Sequence, residues 1–109
     1  MTTNEKWCTY SHINGDLPQH IGKATNISKI SCNIQYTDGQ LYARHSWDID
    51  FVRIFDTLES AICFMYTNSG YRYMSDIKQD LSSHFSKDAK NVNWATVLRP
   101  LKIKKLTKR

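Results

Sequence analysis

Thr37-Asp38-Gly39-Gln40 is the feature that most limits how this 109-residue chain can fold. Asp-Gly between two alternating segments is the strongest short-range signal for a β-hairpin. A two-residue loop there pairs Tyr36 with Leu41, Ile34 with Ala43, Cys32 with His45, and Ile30 with Trp47. Those pairs are mostly apolar, as one buried face requires. The other face pairs Gln35 with Tyr42, Asn33 with Arg44, Ser31 with Ser46, and Lys29 with Asp48, and is polar throughout. A slip of one residue would invert both faces, so the register is specified. Alternation runs on through Ile49 and Phe51. The second strand is therefore expected to be long, over 40–54, and the hairpin to span about 27–54.

The flanking segments are read from weaker signals. Trp7 to Ile13 alternates and is expected to form a short strand, followed by a surface loop over 14–26 around Asn14-Gly15-Asp16-Leu17-Pro18. Asp56-Thr57-Leu58-Glu59 reads as a capping box, and Leu58, Ala61, Ile62 and Met65 follow at helical spacing, so a helix is expected over 57–68. A hairpin is the rival there, because Ile62, Phe64 and Tyr66 also alternate before Asn68-Ser69-Gly70. A second helix is expected over 75–87, capped by Ser75, with Ile77, Leu81, His84 and Phe85 on its apolar face. Trp94 to Ile103 is rich in strand formers, and Pro100 confines it to a sheet edge.

Together these give an α+β fold: a small antiparallel sheet, built on the central hairpin, packs one apolar face on two short helices, and a basic C-terminal strand lies along an edge. At 109 residues and 40% apolar composition the chain is one domain with a single core. The expected division is a body over 1–98 and a basic segment over 99–109.

Charge is the strongest functional cue. Residues 99–109 carry Arg99, Lys102, Lys104, Lys105, Lys108 and Arg109 and no acid. That leaves nine Lys and Arg against ten Asp and Glu in the first 98 residues, so the net +5 arises in the tail. A basic tail on a neutral body attracts polyanions through a local field. Tyr71-Arg72-Tyr73 adds a cation between two aromatics, and Tyr42 and Arg44 lie on the hairpin's polar face; such surfaces stack bases while cations hold phosphates. The expected function is a small non-enzymatic binding protein contacting nucleic acid or a nucleoprotein through Arg99 to Arg109, with Arg44, Arg72, Tyr71 and Tyr73 as further contacts. The alternative is a compact inhibitor or adaptor, of the kind a virus or mobile element encodes, docking on an acidic surface of a larger nucleic-acid-processing protein. An exposed strand edge would also permit a homodimer.

Other chemistries find less support. Cys32 and His45 face each other across the hairpin, the minimum of a Cys–His nucleophile, yet they lie on its apolar face with no orienting third residue. Cys8, His12, His20 and Cys32 are all zinc-ligand types, but their spacings lack the two tight pairs that pre-aim ligands. Asp48 and Asp50 share a strand face, as a Mg²⁺ site would need, with no third group to converge on them. No phosphate-cradling glycine loop is present. No cofactor is expected. Three widely spaced cysteines fit reduced thiols and a cytoplasmic setting, no secretory leader is visible, and no apolar run reaches the length of a bilayer span.

Overall fold

A computed structural model describes residues 5–11, 20–39, 41–49, 51–68 and 73–97 of the chain. Five strands form one antiparallel sheet: β1 (Lys6–Tyr10), β2 (His20–Thr25), β3 (Ser31–Gln35), β4 (Tyr42–Ser46) and β5 (Arg53–Phe55). Their spatial order is β4-β3-β2-β1-β5. Three helices follow, α1 (Leu58–Asn68), α2 (Met74–His84) and α3 (Ser86–Ala89). The α+β class expected from the sequence is the fold observed.

The hairpin register is the expected one, with Ser31 opposite Ser46, Cys32 opposite His45 and Gln35 opposite Tyr42. Its turn works differently from the Asp-Gly expectation. Gly39 does not adopt a left-handed backbone; its N–H donates to the Thr37 hydroxyl at 3.0 Å, and the Tyr36 N–H donates to the Leu41 carbonyl. The Asp38 N–H is spent elsewhere, on the His84 carbonyl at the end of α2, 2.8 Å away.

Three expectations about strands need correction. The segment expected as a loop over 14–26 contains β2, which pairs with β1 on one side and β3 on the other. The long strand over 40–54 ends at Ser46, because β4 and β5 lie at opposite edges and the chain must leave the sheet between them. Residues 47–49 turn, and Phe51 takes a left-handed backbone with φ 50°. At the C-terminal end, residues 94–97 are helical rather than extended, and the Asn93 side-chain oxygen caps them by accepting from the Thr96 N–H at 3.1 Å. The rest of the expected edge strand lies outside the described residues.

The sheet buries both faces. On one, α1 lies across β1, β2 and β5, and Leu58, Ile62 and Met65 meet Ile77, Leu81, Phe85 and Val97, with Trp7 and Ile21 from the sheet packed against them. The expected apolar face of the hairpin is the opposite one. There Cys32 and Ile34 join Cys8, Tyr10, Ala24 and Val52, with Trp47 and Ile54 alongside. Helices therefore do not cover that face as expected; residues of β1, β5 and the β4–β5 connection do. Ile30 and Leu41, expected on the apolar face opposite Trp47 and Tyr36, are exposed instead.

Close approach across β2 requires Gly22. A Cβ there would stand 2.7 Å from Ile34 Cγ2 and 2.9 Å from the Gln35 carbonyl oxygen. On the helix face Thr9 is fully buried, and its hydroxyl has no hydrogen-bond partner among the described residues. A buried hydroxyl left unpaired carries its desolvation cost. Thr9→Val keeps the shape and removes that group, so thermal unfolding should show a gain of about 1 kcal/mol. A loss of stability instead would mean that the hydroxyl is paired in solution.

The helices begin and end where local chemistry allows. Leu58, Ala61, Ile62 and Met65 are the buried residues of α1, as their spacing predicts, and the rival hairpin is excluded. The cap is displaced by one position from the expected box: Thr57, not Asp56, accepts from the Ser60 N–H at 3.1 Å. Glu59 reaches across to the Asn93 N–H at 2.8 Å, and Asp56 pairs with Lys6 at 2.5 Å. Helix α2 begins after Tyr73 with no side-chain cap, so Ser75 does not serve as one. It stops at His84, where Phe85 leaves helical geometry with φ −136° and ψ 61°. His84 is exposed, contrary to expectation.

Candidate functional site

The cations of the domain body divide by what they touch. Lys23 pairs with Asp88 at 3.1 Å and lies over the rings of Trp7 and Phe85. Lys6 holds Asp56, Arg53 lies over Phe64, and Lys78 over Trp94. These groups are tied into the fold. Arg44 is exposed on the edge strand β4, and Lys29, Lys87 and Lys90 are exposed elsewhere on the body. The register puts Arg44 on one face with Asn33 and Thr25, one row from Tyr42, Gln35 and Lys23. Among the described residues α1 packs chiefly on β1, β2 and β5, toward the edge away from β4, and Tyr42 is 51% exposed.

Of the expected contact residues, Arg44 and Tyr73 lie among those described. Tyr73 is exposed at the start of α2, on a different element from Arg44. Tyr71, Arg72, Arg99, Lys102, Lys104, Lys105, Lys108 and Arg109 lie outside the described residues. Tyr42, noted for its place on the polar face, proves to be the aromatic neighbour of Arg44.

The face opposite the helices carries Cys8 and Cys32. Cys32 and His45 are opposed as expected and are both buried. The His45 Nε2 is engaged by the Tyr36 hydroxyl at 2.5 Å. Burial pushes the Cys8 thiol well above its ordinary 9.0, helped by Cys32 nearby. Burial likewise raises Tyr10 above 10.0, with Tyr36 and then Cys8 adding to it. Both groups stay protonated in the folded protein after their unfolded counterparts ionise. Their contribution is therefore complete below about pH 9 and is lost as pH rises beyond it. Urea unfolding from pH 7 to 10.5 should show stability falling on the alkaline side, and Cys8→Ala should flatten the first part of that fall. A flat alkaline limb in the parent protein would contradict the burial of both groups.

Among the described residues no three His, Cys, Asp or Glu side chains gather to hold a metal ion, and His12 lies outside them. Asp48 sits in the turn after β4 rather than on a strand face, and Asp50 is outside the described residues.

One feature escapes sequence reasoning altogether. Tyr10, His20 and Tyr36, at the ends of three neighbouring strands, face Asp80, Leu81 and His84 of α2 across a cavity of about 210 Å³. The rings cluster, with Tyr10 5.2 Å from His20 and 5.9 Å from Tyr36. The only trace in the sequence is an aromatic or histidine at each strand end, which means little until the strand order is known. No known protein family, curated protein or solved structure matches this chain.

Proposed function

We propose that the protein is a small binding module for a polyanionic partner, nucleic acid or a nucleoprotein, held by the basic segment Arg99 to Arg109 and by Tyr42 and Arg44 on β4. One observation carries this reading: six cations without an acid occupy the last eleven residues, while several cations of the body are bound up internally. Arg44 and Tyr42 add an exposed cation and an exposed ring on the same face of the edge strand β4. That pairing suits phosphate contact with base stacking.

The test is binding of generic fluorescent DNA and RNA across salt concentration. Each neutralised phosphate releases counterions, so six engaged cations give a log–log slope of about −4 to −5. Lys102→Gln, Lys104→Gln and Lys105→Gln together should flatten the slope by about 2. Removal of 99–109 should abolish binding at moderate salt. Equal binding by the truncated chain, or none by the full chain at low salt, would refute the reading.

A second reading has its own observation. β4 is an edge strand, and Ile30, Leu41, Tyr42 and Ile49 are exposed along or beside it. Unpaired strand edges with apolar neighbours accept a partner strand, as an inhibitor or adaptor docking on a larger protein would use. Stoichiometric, nuclease-resistant capture of one protein, lost on Leu41→Lys, would favour it.

A further inference from the structure

We infer that the protein pairs with a second copy of itself along β4. The two β4 strands run antiparallel about a two-fold axis at Ala43, and two five-stranded sheets join into one. Among the described strands, β4 and β5 are the edges. β5 is three residues long, with Arg53 over the Phe64 ring of α1 and Phe55 against the same ring. On the other edge Leu41 and the first three residues of β4 are exposed in succession, so both faces of that stretch meet solvent.

The ladder between β3 and β4 fixes which backbone groups face outward. The Tyr36 N–H donates to the Leu41 carbonyl at one end, and the Trp47 N–H donates to the Ile30 carbonyl at the other. In an antiparallel ladder, hydrogen-bonded pairs recur at every second residue. Ala43 and His45, opposite Ile34 and Cys32, therefore turn their N–H and C=O groups to β3. Tyr42 and Arg44 turn theirs away from the sheet. A row of that kind is a template for another strand.

Symmetry then selects the register. A two-fold axis normal to the sheet sets one residue opposite its own copy. At Arg44 it would oppose two guanidinium groups, which is destabilising. At Tyr42 it would oppose two rings and move each Arg44 to a diagonal position. At Ala43 it sets the smallest side chain of β4 at the narrow, non-hydrogen-bonded position, where Cα atoms lie about 4.5 Å apart. Tyr42 then exchanges both backbone bonds with Arg44 of the second copy, ring beside cation, and the symmetric pair repeats the contact. On the other face Leu41, 63% exposed in the single chain, comes opposite His45 of the second copy and is covered. A second copy is the fitting occupant because it brings a ring to each cation and a cation to each ring. The pairing consumes backbone groups at the edge and leaves the face bearing Tyr42 and Arg44 open, so it does not rest on the polyanion reading.

The test is cysteine cross-linking of the full chain in a Cys63→Ser background, where the remaining thiols, Cys8 and Cys32, are buried. Ala43→Cys should form a disulfide-linked dimer under mild oxidation. Tyr42→Cys and Arg44→Cys should form little, because diagonal positions lie about 7–8 Å apart, beyond the reach of the bond. Sedimentation equilibrium of the parent chain should show a concentration-dependent dimer. Arg44→Gln should raise its dissociation constant about tenfold, since two ring–cation contacts are lost together. A parent chain still monomeric at about 1 mM, cross-linking strongest at position 42 or 44, or an Arg44→Gln variant that dimerises equally well would each overturn the inference.

Discussion

Replacing Phe85 by Ala is expected to lower the unfolding free energy by about 3–5 kcal/mol, the usual cost of emptying a large aromatic site in a core. Phe85 is 1% exposed and heads the fully buried side chains of the domain by volume. It sits where α2 gives way to α3, with its N–H still donating to the Leu81 carbonyl at 2.7 Å. Its ring meets Trp7 edge-on at 5.3 Å and lies under the Lys23 ammonium at 5.9 Å. One side chain thus joins α2, α3, β1 and β2, and it also lines the cavity beside α2, so its loss would enlarge a space already present. Urea unfolding should show the midpoint falling with the slope unchanged. Phe85→Leu, which keeps much of the volume, should lose about 1.5 kcal/mol or less. A Phe85→Ala loss equally small would show that the helices and sheet do not depend on this contact.

Gly22→Ala is expected to lose about 2–3 kcal/mol, with a fall in Tm on the order of 10 °C. The reason is space, since Gly22 is part of an ordinary strand. A methyl group would lie 2.7 Å from Ile34 Cγ2, 2.9 Å from the Gln35 oxygen and 3.3 Å from Tyr10 Cε1. The side chain of Ile34 can be trimmed, but the carbonyl belongs to the β3 backbone and cannot withdraw without breaking the ladder. Ile34→Val should therefore rescue Gly22→Ala only in part when the two are combined. Full rescue would mean that the carbonyl contact imposes no limit, and no loss in Gly22→Ala would mean that β2 and β3 stand further apart than described.

The same glycine explains why β2 was hidden in the sequence. A strand announces itself by apolar residues at every second position, but the buried face of β2 offers only Gly22 and Ala24, too small to register as a hydrophobic stripe. The hairpin was legible for the opposite reason: Cys32, Ile34 and His45 alternate cleanly against polar neighbours, and a period of two leaves one register. Helix α1 was legible because its four buried residues fall at 3.6-residue spacing. The break after Ser46 was not, since Ile49 and Phe51 prolong the alternation. A bulky residue such as Phe51 rarely takes the left-handed backbone that turns the chain there. Nothing in the hairpin alone could say which sheet face the helices cover, because both faces of the sheet are buried. The cavity gathers residues from β1, β2, the turn after β3, α1 and α2, so its composition follows from strand order. The open face at Arg44 was half legible: the residue was identified as a contact, but its exposure depends on α1 lying toward the far edge.

The bond from the Asp38 amide to the His84 carbonyl has a consequence for how the molecule opens. Hairpin tips and helix ends are ordinarily the first parts of a domain to fray, each on its own. Here the tip of the hairpin supplies the donor that the last turn of α2 requires. Neither end can loosen without stripping the other of a partner, so two peripheral elements 46 positions apart are drawn into one cooperative opening unit. The same bond ties the turn after β3, which supplies Tyr36 and Thr37 to the cavity, to the helix that forms its opposite wall.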